Sequence, residues 1–184
     1  MRKLVSFLFI SLDGVVEAPE TFVRAELYED FSPLIAQSIA GQDQALMGRK
    51  IYGEWLAFWP SSDIQPFSDF INAVPKLVAS ETLASPEWHG ASILEGPVEA
   101  EVARLKARNG GDIGVYGISL IESLLLAGLM DELHFVLIPV LAAGGRRLVS
   151  AQAKPVQLDL VSAHTTPGGL QHLVYQTHRG STPD

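Results

Sequence analysis

Residues 113–140 read IGVYGISLIESLLLAGLMDELHFVLIPV, and this stretch decides the fold class. Ile113 to Tyr116 is short, apolar and bounded by glycines, as a buried strand is. Ser119 to Ala127 then supplies apolar residues at helical spacing, and Gly128 stands where a helix stops. Leu133 to Val140 is a second apolar run of strand length. Strand, helix and strand within so few residues form a crossover unit, and crossover units build parallel sheets.

The same alternation extends in both directions from this unit. Leu4 to Leu12 is continuously apolar and ends at Asp13-Gly14, which predicts a first strand buried on both faces. Its Arg2-Lys3 start imitates a secretion signal, but Ser6 and Ser11 interrupt the apolar run and no small-residue cleavage pattern follows. Glu20 to Ala40 is predicted as a helix bent or broken near Ser32-Pro33. Ala45 to Met47 is a strand, Gly48 to Trp55 a helix start and short helix, and 59–65 a loop. Phe67 to Ala73 reads as helical turns, Lys76 to Ser80 and Ala91 to Leu94 as strands. Gly96-Pro97 opens a helix with Val98, Val102 and Leu105 on one face, and Asn109-Gly110-Gly111 stops it. Pro155 to His164 and Leu170 to His178 alternate around a Pro167-Gly168-Gly169 turn, as the arms of a closing antiparallel hairpin do.

The expected architecture is α/β, with three layers (αβα). Its sheet is mostly parallel and twisted, and a C-terminal antiparallel hairpin adds the last strands. No linker or shift in composition divides residues 1–179, so one domain is expected there, with 180–184 as a frayed tail.

The chain has 184 residues, a net charge of −8 and no cysteine. Thiol nucleophiles, disulfides and thiolate metal sites are therefore excluded. The acidic balance and the lack of any basic run argue against nucleic acid as a partner. No apolar run approaches the roughly 20 residues of a membrane span. A cytoplasmic location is the expectation. The five histidines lie scattered. His172 and His178 share a strand face without a carboxylate partner, and no metal site is expected.

In parallel sheets ligands bind beyond the carboxyl ends of the strands, often at helix N-termini. Four segments fall there: 11–17, 48–51, 80–83 and 116–120. Ser11-Leu12-Asp13-Gly14, Met47-Gly48-Arg49-Lys50 with Trp59-Pro60 beyond it, Tyr116-Gly117-Ile118-Ser119-Leu120 and Ala127-Gly128-Leu129 stand in that order. Asp131-Glu132-Leu133, Pro139-Val140-Leu141 and Gly144-Gly145-Arg146-Arg147 follow. Together they resemble the riboflavin-biosynthesis reductase domain family, which has the dihydrofolate reductase fold, over about residues 2–178.

The resemblance implies an NAD(P)H-dependent reductase acting on a small heterocyclic or imine-like molecule. The family's named substrate is 5-amino-6-(5-phosphoribosylamino)uracil. It also implies a homodimer. NADPH is the expected cofactor, with NADH and a flavin as options. Gly48, Arg49 and Lys50 would meet its phosphates, Ser80 its ribose end, and Gly117, Ile118, Ser119 and Leu120 its pyrophosphate. Ser119 is also placed to cap the helix that follows.

Four positions depart from the family pattern. Ile51 replaces a hydroxyl residue. Glu81 puts a carboxylate where a cation would favour a 2′-phosphate. Tyr116 and Ile118 carry side chains beside the glycine turn, where they could block or reshape it. These departures keep a second reading open, a nucleotide-, flavin- or pterin-binding protein without turnover.

Asp13 is the expected substrate contact, a carboxylate at a strand end that could hold an amine or amidine edge. It is also an ordinary turn residue. Glu17 is a further carboxylate nearby. Phe22, Trp55, Phe58 and Trp59 either line a ring pocket or pack the core. Gly144 to Arg147 is either an anion site or an exposed basic turn. Asp131 and Glu132 are expected to be structural.

Overall fold

A computed structural model describes residues 1–151 and 153–178. The strands are β1 (Leu4–Ser11), β2 (Gln42–Gly48), β3 (Lys76–Ala79), β4 (Ala91–Ile93), β5 (Asp112–Tyr116), β6 (Glu132–Ile138), β7 (Leu158–Thr165) and β8 (Gln171–Thr177). The helices are α1 (Tyr28–Ile39), α2 (Arg49–Leu56), α3 (Phe67–Ala73), α4 (Val98–Ala107) and α5 (Ile118–Leu126). The strands form one sheet in the order β4-β3-β2-β5-β1-β6-β8-β7. From β4 through β6 every pairing is parallel, and β8 pairs antiparallel with both β6 and β7. The structure is therefore the expected three-layer α/β fold with a closing hairpin.

Side-chain alternation along the strands sorts the core into two faces. On one face α4 and α5 bury Val102, Leu105, Ile121 and Leu124 against Leu4, Leu46, Ile113 and Leu133. On the other, α2 and α3 cover β2 and β3 through Tyr52 and Ile71, and α1 covers Val136 and Ile138 through Leu34. Leu4, Leu46, Ile113, Leu124 and Leu133 are fully buried. Each such side chain contributes about 1.5–3 kcal/mol by leaving water.

Two ion pairs anchor the amino ends of the strands. Asp131 is buried, accepts the Leu4 N–H at 2.8 Å and lies 2.5 Å from Lys106 Nζ, joining β1, β6 and α4. It is structural, as its position before a strand suggested. Arg2 is also buried and bonds the Gly111 carbonyl and Asp43. Lys76 opens β3 fully buried. Its ammonium donates to the carbonyls of Val74 at 2.8 Å and His89 at 3.1 Å and lies over the Trp88 ring. Burial pulls its pKa down to about 8.

Three expectations need correction. The helix predicted over 20–40 begins only at Tyr28, after two short 3-10 turns at Pro19–Thr21 and Ala25–Leu27. It is then not broken at Pro33, because a proline in the second turn removes one backbone bond and the helix continues to Ile39. The loop over 59–65 starts with a 3-10 turn, Trp59–Ser61. The first hairpin arm does not alternate: β7 is exposed on both faces almost throughout, because it is the sheet's edge. The expected tail, 180–184, lies outside the described residues. Among the described residues no helix is long and apolar enough to cross a membrane.

Candidate functional site

Parallel pairing brings the carboxyl ends of β1, β2, β3, β5 and β6 to one edge of the sheet. Met47 is level with Tyr116, Gly48 with Ala79, and Ser11 with Ile138. Two of these adjacent strands, β2 and β5, pass directly into helices at Gly48 and Gly117. The first turns of α2 and α5 thus open side by side, and their free N–H groups make this edge favourable for an anion.

Gly117 holds the two turns together. Its φ is +106°, where side chains are strained, and a Cβ there would lie 3.2 Å from Ile51 Cγ2 and 3.6 Å from the Gly48 nitrogen. A Cβ on Gly48 would in turn meet Leu120 Cβ at 3.7 Å. Ile51, the departure from the family's hydroxyl, therefore packs a methyl against the Gly117 turn. The other two departures beside that turn leave it open. The Tyr116 ring folds back along the strand over Gly114, and its hydroxyl donates to Gln42 at 2.8 Å. Burial raises its pKa above the usual phenol range, so it stays protonated. Ile118 packs into the core beneath α5.

The charged groups at this edge divide into free and engaged. Arg49 is exposed and makes no hydrogen bond or ion pair among the described residues. Lys50 is exposed and lies 3.6 Å from Glu17 and 3.8 Å from Glu54, pairs too loose to contribute much. The other Glu17 oxygen accepts the Arg146 N–H. Arg146 turns inward and donates to Ser119 Oγ at 2.7 Å and to Glu122 at 2.7 Å. Backbone bonding from Ser150, with Arg146, lowers the Glu122 carboxyl. The 144–147 turn is consequently a clamp on α5, and its second cation, Arg147, is exposed and donates to the Asp13 carbonyl at 3.1 Å. Ser119 does not cap α5, because Gly117 occupies the cap and Ser119 lies inside the first turn. Ser80 accepts the N–H groups of Thr82 at 3.2 Å and Leu83 at 3.0 Å, and Glu81 is exposed.

Asp13 is engaged by its own surroundings, with one acceptor site of Oδ2 left over. Its carboxylate accepts from Ser11 Oγ at 2.6 Å and from the N–H groups of Ala142 and Ala143, each at 2.9 Å. The Ser11 bond first, then the Ala142 bond, hold its pKa down to about 2. It ties the end of β1 to the 141–147 loop and is ionised at neutral pH.

Beside this loop a cleft of about 610 Å³ opens between the Thr21–Leu27 segment and residues 138–142 after β6. Phe22 lines it, as do Arg24 and Val140. Trp55 and Trp59 instead pack with Phe67 against Tyr116, and Phe58 is half exposed at the edge of Trp59. Of the four aromatic candidates, only Phe22 faces the cleft. Arg24 escaped the sequence reading because 20–40 reads as one helix in which nothing singles it out. Nothing in the local sequence marks the 3-10 turn that sets it at a cleft. His178 also differs from expectation, since it has a carboxylate partner, Asp159, at 2.8 Å. Among the described residues no group of three or more His, Asp or Glu is placed to hold a metal.

Residues 2–172 match the model of the RibD C-terminal domain. The chain belongs to that family. The family match spans the two glycine turns, the Asp13 clamp and the cleft together. "Uncharacterized protein YyaP" of Bacillus subtilis (strain 168) is 27% identical over 95% of this chain and 94% of its own. Among solved structures, the "Putative riboflavin biosynthesis protein" of Shewanella sp. PV-4 superposes with a TM-score of 0.74 at 18% identity, over 96% of this chain and 99% of that one. Dihydrofolate reductase of Enterococcus faecalis, complexed with NADP(H) and RAB-propyl, superposes with a TM-score of 0.61 at 13% identity, over 95% and 96% of the two chains. The RibD C-terminal domain in this chain thus has the dihydrofolate-reductase-like fold, and its glycine turns stand at the strand ends that the resemblance singled out.

Proposed function

We propose that this protein is an NAD(P)H-dependent reductase of a small heterocyclic or imine-like substrate. The observation that carries the reading is the paired entry of α2 and α5 at Gly48 and Gly117, which meet backbone to backbone. Two helix N-termini that each begin at a glycine, with no Cβ on either, suit a pyrophosphate. A Cβ at Gly117 would fill that cradle, so the residues present fit a dinucleotide. Gly48, Gly117, Ile118, Ser119 and Leu120 would hold its pyrophosphate. Arg49 and Lys50 would meet phosphate from the α2 side, and Ser80 the ribose end. NAD(P)H supplies a hydride equivalent when bound.

The chain's own work is to orient, to exclude water and to set charge. Asp13 is ionised, so at the substrate end it would hold a cationic ring edge or iminium and would not donate a proton. The clamp of Asp13 on Ala142 and Ala143 keeps that end rigid. The proton that completes reduction of a C=N bond would come from water. The uracil intermediate of riboflavin synthesis is the substrate that family likeness suggests.

Titration of NADPH and of NADH against the purified protein tests the reading. Binding in the micromolar range is expected. No binding of either at millimolar concentration refutes the reductase. Arg49→Ala should weaken NADPH more than NADH if Arg49 serves the 2′-phosphate, and equal losses exclude that role. Glu81 favours NADH, and tighter binding of NADH would follow from it. Ile51 against Gly117 supports the rival reading, a binding protein without turnover. That reading predicts nucleotide binding without oxidation of NADPH in the presence of any substrate.

The proposed protein partner is a second copy. Leu160 and Val161 on the edge strand β7 are more than half exposed. An eight-residue edge without proline invites pairing, and an identical strand can pair with itself about a twofold axis. Light scattering should give a dimer mass that Leu160→Lys lowers to the monomer. A monomeric wild type excludes this.

A further inference from the structure

We infer that the cleft after β6 selects an apolar molecule carrying one anionic group, with Arg24 as the residue that reads the charge. The inference rests on the reductase reading only for what becomes of the molecule, since the cleft and its charge stand without it.

The wall side chains are mostly aliphatic and aromatic, with Phe22 and Leu27 on one side and Ile138, Val140 and Leu141 on the other, and they are interspersed with an equal share of polar surface. A cleft of about 610 Å³ holds a molecule of one or two fused rings with substituents. Arg24 is the one charged residue among those that line it. It is exposed and has no hydrogen bond or ion pair among the described residues. In a chain of net charge −8, a cation left without a carboxylate beside an apolar cleft is a specific arrangement. The Thr21 hydroxyl is turned away, donating to the Ala18 carbonyl at 2.7 Å. Asp13, the nearest carboxylate on the 138–142 side, is held by Ser11, Ala142 and Ala143.

Among the described residues no free amide, carboxylate or hydroxyl side chain lines the cleft, so apart from Arg24 only main-chain groups could match the donors and acceptors of a polar ring. A ring rich in such groups would lose its water without replacement, at a cost. An apolar body loses nothing by desolvation, and a planar guanidinium then pairs its anionic group, with two N–H donors well suited to a carboxylate. This is a different chemical class from a phosphoribosyl pyrimidine, whose sugar and ring are polar throughout. A carboxylate and a phosphate monoester share the required chemistry.

Calorimetric titration with 2-naphthoate, 2-naphthyl phosphate, neutral 2-naphthamide and ribose 5-phosphate tests it. Either or both naphthyl anions should bind, and the tighter of the two identifies the preferred group. The neutral amide should bind at least tenfold more weakly, and ribose 5-phosphate should not be detected. Arg24→Gln should weaken the naphthyl anion at least tenfold. Arg104→Gln, which removes an equal charge from α4 where Arg104 pairs with Glu101, should change nothing. Val140→Asp should abolish binding while circular dichroism stays that of the wild type. Three results overturn the inference: equal binding of anion and amide, binding of ribose 5-phosphate in preference to both naphthyl anions, or indifference to Arg24→Gln. Absence of NADPH binding beside Arg24-dependent naphthoate binding would remove the reductase and leave this inference standing. NADPH binding with no naphthyl anion bound would do the reverse.

Discussion

Replacing Gly117 by alanine tests the cradle directly. At this position φ is +106° and ψ +120°. That lies outside the small left-handed region open to residues with a Cβ. Holding alanine there costs about 1–3 kcal/mol. The new methyl would also sit 3.2 Å from Ile51 Cγ2, so the isoleucine must yield a few tenths of an ångström. That contact adds roughly 1 kcal/mol. The sum, about 2–4 kcal/mol, is a large share of the ~5–15 kcal/mol that stabilises a domain. With a urea slope near ~2 kcal/mol per molar, the unfolding midpoint should fall by about 1–2 M. The double variant with Ile51→Ala separates the two parts, because it relieves the contact and leaves the backbone strained. The coupling between the substitutions should be about 1 kcal/mol and the remaining loss larger. NADPH affinity, measured well below the unfolding transition, should fall at least tenfold, or about 1.4 kcal/mol. A midpoint within about 0.3 M of the wild type would refute the strain argument. Full rescue by Ile51→Ala would assign the effect to the contact alone. A stable variant with unchanged NADPH affinity would remove the turn from the cofactor site.

Other perturbations follow from particular contacts. Asp131→Asn leaves Lys106 without its buried counter-charge and should lower stability by roughly 3–5 kcal/mol in urea unfolding. Lys76→Met strips three carbonyls of their donor and should cost about 2–3 kcal/mol. Lys76 has a lowered pKa, so the folded state binds fewer protons than the unfolded state between about pH 8 and the usual lysine range. Wild-type stability should therefore rise across that window relative to Lys76→Met, and a flat difference would contradict it. Asp13, with its pKa held near 2, contributes above the ordinary aspartate range and loses that contribution as pH falls from about 4 towards 2. The stability gap between wild type and Asp13→Asn should close over that interval, and a gap that persists at pH 2 would show that ionisation is not what matters.

The half of the edge around β2 and β5 was legible in the sequence because backbone chemistry defines it. Gly48 and Gly117 each sit between an apolar strand and an amphipathic helix, and such a junction leaves one geometry open. The roles of Tyr116 and Ser119 were not legible. Both depend on partners far along the chain: Gln42 lies 74 residues from Tyr116, and Arg146 lies 27 from Ser119. Asp13 was visible as a carboxylate at a strand end. Its engagement was hidden, because the N–H groups it binds belong to residues 129 and 130 positions away. Local pattern also misread Arg24, since Glu20 to Ala40 has helical composition throughout and only tertiary packing sets the helix start at Tyr28.

This division bears on how such a fold changes its chemistry. The glycine turns are held by mutual contact, so a substitution there disturbs stability and the proposed cofactor seat together. The cleft after β6 is built from a 3-10 segment on one side and the 138–142 strand end on the other. Its lining residues can change one at a time, because Phe22, Arg24, Val140 and Leu141 carry none of the ion pairs that join the strands. Asp13 stands between the two halves, fixing the loop beyond the cleft to the end of β1. On the proposed reading, substrate choice can therefore drift while the proposed cofactor seat stays fixed. Exchanging Phe22 and Arg24 together should alter which small molecule binds while leaving the urea midpoint within about 0.5 kcal/mol equivalent of the wild type. A large loss of stability in that double variant would show that the cleft, too, is part of the framework.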